Sequence, residues 1–213
     1  MRNTLRLTVL SFLAYFVMSG MLAPWGVISG SVADFFGTTE TDVTERFGWL
    51  TGGNLLGAIL ALTVYHRFGI RALMLTLYAL ILASVVSLLL AKDLQSIQVA
   101  FGVIGTCCGV GLAGAALTIS LTYQAERRAS MLVITDGCFS IAGYLCSAIA
   151  VLFVSWALHW SMTYQVVGFV ALVIVLLSAF SIFPQANPTD SKGGHGWPVT
   201  AWLCIGGLFL YTL

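Results

Sequence analysis

The segment ITDGCFSIAGY, Ile134–Tyr144, lies inside a long apolar run and carries a single carboxylate, that of Asp136. No Lys or Arg occurs within seven residues of this carboxylate. Apolar residues extend on both sides for more than the 20 or so residues that a helix needs to cross a bilayer. The segment therefore predicts a membrane-spanning helix with one acid inside it.

The composition of the whole chain is that of an integral membrane protein. Of its 213 residues, 59% are hydrophobic and only 8% are charged, and the mean hydropathy is +0.99. Soluble domains carry about 25% charged residues. The net charge of +1 gives no reason to expect a nucleic-acid partner. We predict an all-α membrane protein that is embedded in a lipid bilayer.

The apolar runs predict six complete spans in residues 1–183, a flexible cytoplasmic linker in 184–196 and a truncated seventh span in 197–213. The linker is rich in Pro, Gly and polar residues, which is typical of a loop. The dipeptide Glu-Arg precedes both span two and span five, which is compatible with a 3+3 inverted repeat. The six spans are expected at roughly 5–36, 46–66, 70–91, 97–124, 129–157 and 161–183.

Basic residues fall mainly on one side of these spans, seven against two, and the positive-inside rule places that side and the N-terminus in the cytoplasm. We therefore expect a multi-pass plasma-membrane protein, in a bacterial inner membrane. The opposite side holds Arg46 and Lys92. The cytoplasmic side holds Arg2, Arg6, Arg67, Arg71, Arg127, Arg128 and Lys192.

Asp136 shares one helix face with Ser140, Gly143 and Ser147, because these positions recur at helical spacing. A similar row in span one contains Tyr15, Ser19, Gly26 and Ser29. Such small, polar rows turn away from lipid. They are compatible either with the wall of a hydrated cavity or with hydrogen bonds between helices.

Three interpretations of Asp136 follow, because an ionised carboxylate in the centre of a membrane helix costs about 2.5–3.5 kcal/mol on insertion scales. It is a substrate or proton site on a cavity wall. It is the partner of a polar group on another helix. Or Thr135 and Asp136 cap a helix that starts late, in which case Arg127 and Arg128 come within reach.

The other motifs exclude several kinds of site. Gly105 and Gly109 in span four form a G-x-x-x-G pair, which predicts a close packing face between helices. The five cysteines lie in apolar stretches without a metal-ligand spacing, so we expect no disulfide, no metal site and no cofactor. No phosphate-binding G-x-x-x-x-G-K-[ST] motif occurs. The three histidines lie apart at span ends or in loops, which argues against an intramembrane enzyme.

Two stretches resemble major facilitator superfamily transporters. VYHRFGIRALML, residues 64–75, is similar to the basic loop between spans two and three of that family. Arg67, Gly69 and Arg71 fit the family pattern, whereas His66 stands where Asp is usual. RASMLVITDGCFSIAGYL, residues 128–145, resembles span five of TsgA-like proteins and, more distantly, of fucose–proton symporters, which have Gln where Asp136 stands.

The resemblance implies twelve spans in two halves joined by a cytoplasmic linker, of which this chain is the N-terminal half. The missing C-terminal half is then a partner of this chain. The resemblance also implies proton-coupled, alternating-access transport of a small, sugar-like or otherwise polar solute. Fucose symporters carry acids where Gly26 and Gly114 stand here, so their sugar and proton sites do not carry over.

Combining the polar positions with the resemblance gives two groups of candidate site residues. The alternatives to a transporter are a six-span scaffold or channel subunit and a subunit of a membrane enzyme. The candidates for the substrate or proton path are Asp136, Ser140, Asn54, Thr51 and Tyr15, and those for a cytoplasmic gating loop are His66, Arg67, Gly69 and Arg71.

Overall fold

The structure is a computed structural model that describes residues 2–184. The expected seventh span, and all of the expected linker after Pro184, lie outside the described residues. Within that range the chain forms seven α-helices and no strand. They are α1 (Arg2–Leu22), α2 (Trp25–Phe36), α3 (Glu40–Arg67), α4 (Ile70–Leu89), α5 (Leu94–Thr122), α6 (Ala125–Ser155) and α7 (Met162–Ala179).

Six of these helices, all except α2, are long and apolar enough to cross a membrane. They follow the six predicted spans in order, so the prediction of an all-α membrane protein with six spans is confirmed. The connections between successive spans are short. Gly37 ends α2 with a φ of 63°, and Asp42 and Thr39 form a capping box at the start of α3.

The prediction of one continuous helix over residues 5–36 is wrong, because the first span breaks at Ala23 and Pro24. Proline has no backbone N–H and its ring clashes with the preceding turn, so a helix does not run through it undisturbed. The amide N–H groups of Val27 and Ile28 bond to the Pro24 carbonyl and start α2. The Ala23 carbonyl instead accepts a hydrogen bond from the Ser147 hydroxyl at 3.1 Å.

The principal helix contacts keep the same pattern when the first three spans are exchanged with the last three. The contact of α3 with α5 then corresponds to that of α1 with α6, and the contact of α4 with α5 to that of α1 with α7. The contacts of α1 with α5 and of α4 with α7 map onto themselves. This symmetry is what a 3+3 inverted repeat produces.

Glycines hold α3 and α5 together at very short range. A Cβ added at Gly57, Gly105 or Gly109 would overlap a backbone carbonyl of the opposite helix, and one at Gly53 would lie 2.6 Å from the Gly102 carbonyl oxygen. Close backbone approach is how helices gain contact where lipid removes the hydrophobic drive between them. The predicted packing role of Gly105 and Gly109 is therefore confirmed, with Gly53 and Gly57 as their counterparts on α3.

One end of the bundle is tied together by side chains that bond to the end of α7. The Arg6 guanidinium donates to the Phe180 carbonyl at 3.0 Å, and that of Arg71 donates to the Ala179 carbonyl. The Asn3 amide donates to the Ile182 carbonyl at 2.8 Å and accepts from the Ile182 N–H at 3.0 Å. The basic ends of α1 and α4 thus meet the C-terminus of α7, where cations favour the helix dipole.

Candidate functional site

Asp136 lies well inside α6 and is exposed. The helix begins at Ala125 after Gln124, four residues earlier than expected, and Asp136 lies about 16 Å further along its axis. The 31-residue helix is about 46 Å long, so Asp136 is roughly a third of the way along it. The interpretation of Asp136 as a helix cap is therefore wrong, and with it the approach of Arg127 and Arg128.

Tyr15 on α1 is the candidate residue that the structure brings to Asp136. Its side chain is half-buried, and it lies one helical turn before Ser19, which faces Gly143 of α6. Ser140 is exposed one helical turn beyond Asp136 on the same side of α6. Asp136, Ser140 and Tyr15 therefore form one polar surface where α1 and α6 meet.

The small, polar row on α6 divides into a packed part and an open part. Gly143 faces Ser19 of α1, since a Cβ added there would lie 3.0 Å from the Ser19 hydroxyl oxygen. Ser147 bonds to the Ala23 carbonyl. Interhelical contact thus explains Gly143 and Ser147, whereas Asp136 and Ser140 remain exposed.

Thr51 and Asn54 belong to a different pair of helices. Thr51 is exposed on α3, and its hydroxyl donates to the Gly48 carbonyl of its own helix at 2.9 Å. Asn54 lies at the interlock of α3 with α5, where its backbone faces Gly105 and Gly109. Its side-chain oxygen is buried without a hydrogen-bond partner among the described residues. Their place in a substrate path stays a prediction.

Gly114 makes room for an aromatic side chain. A Cβ at Gly114 would overlap the hydroxyl of Tyr65, which donates to the Val110 carbonyl at 2.9 Å. This position on α5 is buried, so an acid would find no space there. Gly26 on α2 is exposed, with open space around it. Sequence reasoning missed Tyr65 because the contact joins residues that are far apart in the chain.

The predicted gating residues surround the turn from α3 to α4. His66 and Arg67 end α3, Phe68 follows, and Gly69 caps the start of α4. Arg67 is exposed, whereas Arg71 is bonded to the Ala179 carbonyl at the end of α7. Arg71 therefore has a partner within this half of the bundle, and the gating role of the loop stays a prediction.

The described residues hold no group of His, Cys, Asp and Glu side chains that could bind a metal ion. Cys107, Cys108 and Cys146 are buried free thiols, and Cys138 is a partly exposed one.

Curated proteins named TsgA are similar to the chain over most of its length. The TsgA homolog of Serratia proteamaculans is 24% identical over 208 residues, which make up 98% of this chain and 52% of that protein. TsgA of Salmonella arizonae is 26% identical over 203 residues, which make up 91% of this chain and 52% of that protein. The chain thus spans about half the length of these relatives. No family model matches the chain.

A solved structure shares the fold. It is the crystal structure of a bacterial homolog of the human lysosomal transporter Spinster, in an inward-facing and unoccupied conformation. The TM-score is 0.58 at 16% identity, over 91% of this chain and 47% of that one. With its six spans and its likeness to TsgA proteins, the chain has the helical-bundle fold of major facilitator superfamily transporters and resembles half of a TsgA protein.

Proposed function

We propose that the chain is the N-terminal half of a secondary active transporter that moves a small polar solute, sugar-like or similar, by alternating access and with proton coupling. The remainder of the protein supplies the second half of the substrate cavity. The membrane is a bacterial inner membrane, and the N-terminus lies in the cytoplasm. The distribution of basic residues supports this orientation.

The observation that carries the proposal is the exposed Asp136, a third of the way along a spanning helix that packs against α1, the helix of Tyr15. A carboxylate at such a depth is costly unless it faces water, a partner or a proton. In a cavity that opens in turn to either side, Asp136 takes up a proton from one side and releases it to the other. Tyr15 donates a hydrogen bond to the ionised carboxylate or to the solute.

We infer that the second half covers the apolar side chains that surround this polar surface on α6. Large apolar side chains on α6, including Val133, Ile141 and Tyr144, are 60–77% exposed. They lie along the same helix as Asp136 and Ser140, so a covering half would enclose the polar surface. In that arrangement α1 and α6 form part of the cavity wall, and α4 and α7 lie on its outer side.

The test uses the complete product of the gene, reconstituted into vesicles that contain a pH-sensitive dye. A panel of sugars and other small polar solutes is added outside, and acidification of the lumen reports solute-coupled proton entry. We expect Asp136→Asn to abolish the acidification that an active solute causes, while the variant still folds and inserts. Tyr15→Phe is expected to weaken it.

Asp34→Asn is the matched control. Asp34 is also an exposed acid, but it lies near the end of α2, away from the middle of the spans. Its replacement is expected to leave coupled acidification unchanged. Undiminished proton entry with Asp136→Asn would remove the coupling role of Asp136, and solute movement without proton entry in the wild type would refute proton coupling itself.

A further inference from the structure

Two cavities lie along α5 and share part of their walls. The larger has a volume of about 890 Å³ and is also bordered by α3. The smaller has a volume of about 500 Å³ and lies beside the turn between α4 and α5. Val99 and Val103 line both. Val99 and Val103 thus place the two cavities side by side, and we call them together the amphipathic cleft.

The larger part of the cleft is apolar and exists because glycines line it. Gly48 and Gly52 of α3 have no atom within 4 Å of an added Cβ, and Gly102 of α5 faces them across the cleft. Leu56 and Leu80 complete the apolar wall. A side chain at any of the three glycine positions would occupy the space.

The depth of the apolar part matches one leaflet of a bilayer. It extends along α3 from Glu45 to Leu56, which is about 16 Å at 1.5 Å per residue. Half of the hydrocarbon core of a bilayer is about 15 Å thick. Trp49, 54% exposed, lies near the Glu45 end, and Trp is enriched where the membrane meets water. The cleft therefore reaches from the interface to the middle of the membrane.

The smaller part of the cleft, at the interfacial end, carries one acid and several hydroxyl groups on a partly apolar wall. Asp93 lines the smaller part and Glu45 lines the end of the larger part near Trp49, and among the described residues no Lys or Arg lines either part. Hydrogen bonds from Ser96 lower the pKa of Asp93, so its carboxylate stays ionised at neutral pH. The hydroxyls of Ser84, Ser87 and Ser96 lie in the same part.

We propose that the amphipathic cleft binds a membrane phospholipid whose headgroup carries a protonated amine. The ammonium group binds at the Asp93 and Glu45 carboxylates, and the Ser84 hydroxyl donates to the phosphate. An acyl chain fills the part that Gly48, Gly52 and Gly102 leave open. A lipid suits the cleft because it has, in one molecule, the charged end and the apolar length that the two parts require.

The test measures lipid binding to the complete, delipidated protein by native mass spectrometry in detergent. The probes are phosphatidylethanolamine, which has the amine, and phosphatidylglycerol, which lacks it. We expect the protein to bind phosphatidylethanolamine about fivefold to tenfold more tightly, the effect of two exposed charge pairs. The double variant Glu45→Gln with Asp93→Asn is expected to bind the two lipids equally, because Asn still caps α5.

A second pair of variants distinguishes lipid binding in the apolar part of the cleft from lipid binding elsewhere on the protein surface. Gly52→Leu fills the cleft and is expected to weaken binding of both lipids. Gly26→Leu places the same side chain in open space on α2 and is expected to leave binding unchanged. Equal binding of the two lipids by the wild type, equal effects of the two leucine variants, or a cross-link from Gly52→Cys to another segment of the protein would overturn the proposal.

Discussion

A single methyl group added at Gly105 tests the interlock of α3 with α5. The Cβ of Gly105→Ala would overlap the Leu50 carbonyl oxygen and lie 3.0 Å from the Asn54 amide nitrogen. Both atoms belong to the backbone of α3, so no side-chain rotation relieves the overlap. The two helices must separate, and the neighbouring close contact between Gly109 and Asn54 is weakened as well.

The expected cost follows from the size of this separation. Ordinary van der Waals contact of a Cβ begins at 3.4 Å, so α3 has to retreat by about 1 Å. Overpacking of this kind costs about 1–3 kcal/mol, to which lost contact along the interface adds. The higher helix propensity of alanine relative to glycine offsets about 1 kcal/mol of this loss. A net loss of about 2 kcal/mol lowers the melting temperature of a protein this size by roughly 4–8 °C.

Thermal unfolding in detergent, followed by far-ultraviolet circular dichroism, measures this loss. Gly52→Ala is the matched control, because it adds the same methyl group to α3 where nothing lies within 4 Å, and we expect its melting temperature to stay equal or rise. Gly53→Ala, which approaches the Gly102 carbonyl at 2.6 Å, remains measurable if Gly105→Ala does not fold. Equal melting temperatures for the variants of Gly105, Gly53 and Gly52 would refute the reasoning.

Two further predictions concern the helix ends. Arg71→Ala removes a charged donor from the C-terminus of α7 and is expected to speed amide hydrogen exchange there about threefold to tenfold. Arg67 is exposed nearby, and amide exchange at the end of α7 in Arg67→Ala should match that of the wild type. The lowered pKa of Asp93 means that its ionised form stabilises the fold. The wild type should therefore melt at a higher temperature than Asp93→Asn at neutral pH. This difference should shrink as pH falls below about 3.9, the pKa of Asp in the unfolded chain, and vanish once pH is below the lower pKa of Asp93 in the folded protein.

The spans were predictable because a bilayer demands about 20 apolar residues in each. The break in span one was not predicted, although Pro24 was visible, since hydropathy alone treats proline as one more residue in an apolar run. The start of α6 was set too late for a related reason. Glu126, Arg127 and Arg128 are polar, and hydropathy excludes them, but a helix continues past the membrane surface as long as its backbone bonds are satisfied.

The packing face of α5 could be predicted from Gly105 and Gly109, but not its partner. Gly53 and Gly57 on α3 have the same spacing and were the available signal. Pairing the two motifs needs the knowledge that these helices touch. The bond from Arg71 to the Ala179 carbonyl is harder still, because it joins residues 108 apart and ends on a backbone atom that every residue has.

Asp136 shows where a helical pattern stops being informative. Its row with Ser140, Gly143 and Ser147 fitted both a cavity wall and interhelical contact. In the structure Gly143 and Ser147 contact α1, and the Ser147 hydroxyl donates to the Ala23 carbonyl at the break in the first span. Asp136 and Ser140, by contrast, are exposed. A row that served packing alone would have small residues throughout, whereas Asp136 lies where the contact with α1 ends. Its replacement by Asn should therefore impair proton coupling and leave the folding of the protein intact.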